Sequence, residues 1–378
     1  MPNLVLKNAK LVLAGEVIEG SLEVRDGQIV AYSTGPSQHG EDMGGDYVIP
    51  GLIELHTDHL ENHYRPRPGV SWPPVSAVIA HDAQIAAAGI TTVFDALRAG
   101  TFDPGDYLAR DGEKLMGAIR TAQEQNLLRA DHFIHLRCEL PCPDTIEAAN
   151  HTARSGRIHL ISLMDHTPGA RQFTSLDKFK EYYLGRKLIV PEKIDAYIEE
   201  RRSYQIKHAA TNKAGLLQMA KEYHIPMLSH DDATAAHVEE AVADGVMISE
   251  FPTTAESAAA ARKHGLKILM GAPNLIRGGS HSGNISTEEV ARAGHLDIMS
   301  SDYVPMSLLM AAFELPGRIE TITLPQAIAT VSKNSAEIAG LHDRGEIAVG
   351  KRADLARVST ASNFPVVKQL WREGSRVL

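Results

Sequence analysis

The sequence predicts an α/β protein, a (β/α)8 TIM barrel with a small β-sandwich domain formed by both chain termini. Three observations predict it. Both ends are short, β-rich and punctuated by turns. The middle alternates apolar strand-like runs with helical segments eight times. The ends of those runs carry His, Asp and Glu again and again. Core strands have no need of such residues, and burying them unpaired is costly, so their recurrence marks one functional face. A doubly wound sheet is the competing architecture.

Residues 4–32 read as short strands, Leu4–Leu6, Lys10–Leu13, Leu22–Arg25 and Gln28–Tyr32, with Asp26-Gly27 as a hairpin signal. The other end is similar: Glu346–Val349, Leu355–Val358 and Val366–Trp371, then a Glu373-Gly374 turn before Arg376–Leu378. The simplest organisation pairs residues 1–50 and 345–378 in one composite β domain and leaves 51–344 as the barrel.

Eight apolar runs fill the middle: Leu52–His56, Thr91–Asp95, Phe133–Leu136, His159–Met164, Met227–Ser229, Met247–Ile248, Ile268–Met270 and Asp297–Ser300. Helical segments between them include Ala77–Ala88, Gly112–Gln125, Lys213–Tyr223, Ala235–Ala243 and Glu256–Lys263. Residues 171–207 are too long for a simple βα connection. Their nine basic and six acidic residues give a local balance of +3 in a chain of −9. This segment reads as a basic lid over an anionic ligand or as a solvated helical excursion.

The first barrel run is the most informative. Val48 to His59 reads as a buried strand running into His56, Asp58 and His59. With period 2, His56 and Asp58 point the same way and can share a divalent ion, while His59 points to the other side. The competing reading is an amphipathic helix, because His56, His59 and His63 also sit at helical spacing; Pro50-Gly51 and the β-branched residues favour the strand.

With 43% hydrophobic and 22% charged residues among 378, the chain reads as globular and long enough for one large domain plus a small one. The net charge of −9 argues against a general nucleic-acid binder. No apolar run approaches the roughly 20 residues of a membrane span. Met1–Val5 lacks an export-signal pattern. Cys138 and Cys142 read as two buried thiols in a reducing cytoplasm. A homo-oligomer is compatible with these numbers.

These residues resemble the amidohydrolase superfamily. The resemblance rests on Ile49-Pro50-Gly51-Leu52-Ile53-Glu54-Leu55-His56 and on the tail from Leu341 to Leu355. A narrower likeness, to the phosphonate-metabolism branch, rests on His56-Thr57-Asp58, on Leu163 to Phe173, on Ser229-His230-Asp231-Asp232 and on Ser300-Ser301-Asp302-Tyr303. The resemblance implies a metal-dependent phosphoanhydride hydrolase that cleaves a ribose 5-triphosphate ester to the 5-phosphate and pyrophosphate. Three departures from the superfamily pattern stand out. Asp58 replaces the second histidine, no lysine suited to carboxylation ends the fourth strand, and Glu250 ends the sixth strand where a histidine is usual.

The resemblance implies metal ligands His56, Asp58, Glu139 and His230, with Asp302 both near the metal and acting as general base. Such an oxygen-rich set suits Mn or Mg, and its imidazoles keep Zn or Fe open. His166 and His281 are candidates to protonate or neutralise the leaving pyrophosphate. The loop Arg277-Gly278-Gly279-Ser280 follows the seventh strand, where barrel phosphate sites often form, and its glycines free backbone N–H groups for oxyanions. Arg65, Arg67 and Arg98, with Arg171 from the lid, add charge for a polyphosphorylated small molecule. The alternatives are a C–N hydrolase on the same fold (a deacetylase, cyclic amidase or deaminase) and a non-enzymatic pathway scaffold.

Overall fold

A computed structural model of the chain describes residues 3–102, 111–172, 175–185, 189–280, 283–362 and 364–378. The N-terminal strands are β1 (Leu4–Val12), β2 (Val17–Arg25), β3 (Gln28–Thr34), β4 (Glu41–Asp42) and β5 (Tyr47–Pro50). Asp26 and Gly27 take φ of 50° and 77° in the β2–β3 turn, the left-handed backbone that an Asp-Gly hairpin supplies.

The chain then enters the barrel through β6 (Leu52–Thr57). It continues through β7 (Ile90–Ala99), β8 (Asp131–Glu139), β9 (Leu160–Met164), β10 (Met227–His230), β11 (Ile248–Glu250), β12 (Lys267–Gly271) and β13 (Ile298–Ser300). All eight expected runs are strands, each parallel to the next in sequence order. β13 returns to β6 through Asp302 N–H to His56 O (3.1 Å), Asp58 N–H to Asp302 O (3.3 Å) and Ser300 Oγ–H to His56 O (2.6 Å). The fold is the TIM barrel, not the doubly wound sheet. Inside it, Ile53, Leu55, Phe94, Leu160, Leu228, Ile248, Leu269 and Ile298 form one buried cluster.

The last strands are β14 (Leu355–Ser359), β15 (Val366–Arg372) and β16 (Ser375–Arg376). They join the first ones in a single sheet of order β16-β15-β14-β5-β1-β2-β3, with β4 on β1. Trp371 and Leu355 from the C-terminal end pack with Leu6, Leu11 and Leu22 from the N-terminal end. Arg344 and Arg352 both reach Asp131, at the start of β8, at 2.6 Å. Cys138 and Cys142 are both buried. Among the described residues no helix is long and apolar enough to cross a membrane.

Among the described residues the 171–207 segment is largely helical, as its second reading expected. Leu176–Gly185 is a helix, and the second half of the segment is absorbed into a 30-residue helix, Ile194–Tyr223. No Gly or Pro interrupts residues 192–214, so nothing stops that helix from running through.

On the outside of the barrel, helix Pro74–Ala87 brings His81 and Asp82 against β7 and β8. Asp82 accepts from the backbone N–H of Arg129 (2.8 Å) and Ala130 (2.9 Å). Asp95 accepts from His81 (2.9 Å) and His132 (2.7 Å) in full burial. Burial alone would lower the pKa of His132, but Asp95 and Asp82 more than offset it and raise it from 6.5 to about 9. A raised pKa stabilises the fold fully below pH 6.5 and is lost as pH climbs through 9. The window spans about 3 kcal/mol. The urea midpoint should therefore fall between pH 6.5 and 9 in the wild type, and His132→Gln should flatten that fall. An unchanged slope in the variant would remove His132 as its source.

Candidate active site

The strands deliver their last residues to one end of the barrel. Three of the turns just beyond them use an uncommon backbone. Asp231, Phe251 and Asp302 follow β10, β11 and β13 with φ of 56°, 54° and 54°. Aspartate tolerates this left-handed region, whereas phenylalanine rarely enters it. The Phe251 ring lies edge-on to His56 (5.3 Å between centroids) and His230 (5.5 Å), so the strained turn supplies a wall to both imidazoles.

Glu250 sits behind those imidazoles. Its two oxygens accept from His56 Nδ1 at 2.7 Å and His230 Nδ1 at 2.6 Å, and Ser162 Oγ–H donates to it at 2.7 Å. The three side chains are all but fully buried. Burial would raise the Glu250 pKa, but the two imidazoles hold it well below the usual carboxylate range. With Nδ1 engaged, each ring keeps Nε2 as its lone-pair donor. His166 is held the same way: Glu139 accepts from its backbone N–H at 2.9 Å and from Nδ1 at 2.5 Å.

His56, His166, His230, Asp231 and Asp302 line one cavity of about 150 Å³ with Arg137, Arg277, Gly279 and Ser280. Burial, then the neighbouring Asp58 carboxylate, push Asp302 up to a pKa of about 7. That poise suits a group that takes a proton near neutral pH. Arg137 donates to Asp58 at 3.0 Å, so one guanidinium stabilises charge beside two carboxylates.

A family model described as the amidohydrolase family matches residues 202–369. The alpha-D-ribose 1-methylphosphonate 5-triphosphate diphosphatase of Escherichia coli (strain K12) is 45% identical over 377 residues, covering 99% of this chain and all of its own length. An adenine deaminase from Desulfatibacillum aliphaticivorans is 26% identical over 384 residues, 96% of this chain and 56% of its own. Among solved structures, a 5-methylcytosine deaminase from Klebsiella pneumoniae superposes with a TM-score of 0.66 at 15% identity, covering 99% of this chain and 98% of its own. The chain belongs to the amidohydrolase family.

This amidohydrolase fits a divalent metal. Asp231 Oδ2 is buried without a hydrogen-bond partner, 3.6 Å from His230 Nε2 and 3.8 Å from His166 Nε2. A buried carboxylate oxygen facing two imidazole nitrogens has the donor chemistry of a cation site. Of the expected ligands, His56 and His230 line this cavity, with Asp302 beside them. Asp58 is turned to Arg137, and Glu139 stands behind His166 as its orienting carboxylate. His166, expected as an acid, joins the candidate donors.

The expected phosphate groups divide. Arg277, Gly279 and Ser280 line the cavity, and Gly278 caps the helix before them in left-handed backbone. Arg98 lies 2.9 Å from Glu61 on the wall of an adjoining chamber. Arg65, Arg67 and Arg171 are not brought to the cavity. Arg65 pairs with Asp111 at 3.0 Å, and Arg67 lies in an exposed turn against Val70. Arg171 reaches Asp232 and, at 3.0 Å, Glu240, because these acids are nearer than the barrel mouth. His281 lies outside the described residues. Sequence reasoning quoted Glu250 and Asp231 in its motifs but assigned neither a role in the site. Both stand at strand ends, and that position was their signal.

The Glu250 clamp should set metal affinity. Glu250→Gln cannot accept equally from both imidazoles, so the affinity for a divalent metal should fall about 10–100-fold. Competition with a chelator checks this, and equal metal retention would show that the clamp is only structural.

Proposed function

We propose that this amidohydrolase hydrolyses α-D-ribose 1-methylphosphonate 5-triphosphate to the 5-phosphate and pyrophosphate, a step of phosphonate catabolism. The observation that carries this reading is the end-to-end identity of 45% with the Escherichia coli enzyme. The site agrees with it in chemistry. It pairs a base poised near neutrality with guanidinium groups and a glycine-rich loop. A C–N hydrolase acting on a neutral ring would need an apolar pocket, and the walls here carry Arg137, Arg277 and His166.

Held by His56, His166, His230 and Asp231, with Asp58 and Asp302 nearby, a divalent metal would acidify water and polarise a phosphoryl oxygen. Three imidazoles favour Zn, Mn or Fe over Mg. Asp302 takes the proton from the attacking water as it meets the α-phosphorus. The α–β anhydride bond then breaks, and pyrophosphate leaves towards Arg277, Gly279 and Ser280, where guanidinium and backbone N–H groups stabilise the growing charge. Arg137 keeps Asp58 in place beside the base. Glu250 and Glu139 fix the imidazole orientations throughout.

Two outcomes test the chemistry. Asp302→Asn keeps the shape and removes the basicity, so kcat should fall about 10²-fold or more while substrate still binds; a near-normal kcat would assign the proton elsewhere. In ¹⁸O-labelled water the label should enter the ribose 5-phosphate product. Label in pyrophosphate, read by phosphorus NMR, would place attack at the β-phosphorus and sink this mechanism.

A further inference from the structure

The catalytic cavity adjoins a second chamber of about 330 Å³, and Arg137, His166 and Gln172 line both. The far walls of the second chamber come from β7, from residues 100–102 and from the 171–207 segment, which contributes Tyr183, Tyr197 and Arg201. Arg201 is the unusual residue. Its guanidinium carbon lies 3.8 Å from the centroid of the Phe102 ring and 4.5 Å from that of Tyr197. Its Nε and Nη1 are buried and have no hydrogen-bond partner.

Among the described residues, the acids at this chamber are already engaged. Glu139 binds His166, Glu61 lies against Arg98 and Asp58 binds Arg137. Arg201 is thus a stacked cation with two buried, unpartnered nitrogens and no carboxylate beside it among the described residues. Aromatic faces hold a guanidinium in place, but they cannot satisfy its in-plane N–H groups. Leaving such donors unmet is costly unless a ligand meets them.

We propose that this chamber binds the methylphosphonate ester group on C1 of the substrate, with Arg201 as the residue that recognises it. This rests on the substrate reading above and assigns a second anion subsite to it. A methylphosphonate monoester carries one negative charge spread over two oxygens, which matches one unneutralised guanidinium fork. Its methyl group suits walls made of Phe102, Tyr183 and Tyr197. The triphosphate, with about four charges, suits the Arg277 arm and its backbone N–H groups instead. The substrate then lies across the site with an anion in each arm and the α-phosphorus between them.

The test compares two esters. Arg201→Gln should lower kcat/KM for the 1-methylphosphonate 5-triphosphate at least about 10²-fold more than for the 1-O-methyl riboside 5-triphosphate. Arg201→Lys keeps the charge without the fork and should recover only part of that loss. Equal losses on both esters, or none, would overturn the proposal. So would weaker inhibition of Arg201→Gln by pyrophosphate, which would put the leaving group in this chamber. Calorimetry with the product, ribose 1-methylphosphonate 5-phosphate, separates the two readings. The wild type should bind it more tightly than the 1-O-methyl riboside 5-phosphate, and Arg201→Gln should lose that preference. If the preference is present but no pyrophosphate is released, the reaction assignment fails and the subsite stands. If the wild type binds both equally, the subsite fails.

Discussion

The site depends on one carboxylate shared by two imidazoles. Glu250, His56 and His230 come from three strands, and two of them lie far apart around the barrel. The clamp can form only if β6, β10 and β11 end at the same level. Register and chemistry are therefore one problem: a slip of one residue in β11 would turn Glu250 away from both rings and reverse every side chain beyond it. Burial makes the clamp strong and intolerant, because an imidazole deprived of its carboxylate would be left with an unmet donor in a dry interior.

Charge at the barrel mouth follows a similar pattern. Asp58 and Asp302 would repel each other strongly without Arg137, and His166 would be free to turn without Glu139. Most guanidiniums here are answered by an acid, and this constrains which ones can serve a ligand. Arg171 is spent on Asp232 and Glu240. Among the described residues Arg201 meets no acid, and this separates two residues that contribute identically to the charge of the same segment.

The fold was legible in the sequence because it is written in period and order. Eight apolar runs ending in polar residues became eight parallel strands, and the β-rich ends became one sheet. Leu52–His56 is a strand, while the helical spacing also found a place: His59 caps the short helix Leu60–Tyr64, and His63 lies within it. The site was legible in part. His56, His230 and Asp302 could be named because each ends a strand or directly follows one. What a side chain does once it arrives depends on partners from distant sequence, and periodicity carries no such information. Glu250 looked like a lost histidine until its two partners came into view, 194 and 20 residues earlier in the chain. Asp231 was quoted beside His230 but given no role, since the left-handed turn that aims it is not encoded by residue type alone. Arg65, Arg67 and Arg171 show the converse, as their count suggested an anion site while local acids claimed two of them.

The shared terminal sheet has a consequence for synthesis on the ribosome. β5 runs straight into β6, so the strand that carries His56 is anchored by a neighbour flanked on one side by β1 and on the other by β14. β14 begins only at Leu355, after all eight barrel strands. A nascent chain can thus assemble all eight barrel strands while β5 still presents an open edge, the kind of surface that pairs with other chains. The closing step of folding must wait for β14 to leave the exit tunnel. A ribosome that stalls before then would carry a chain with all eight barrel strands made and an exposed, adhesive strand beside the first of them.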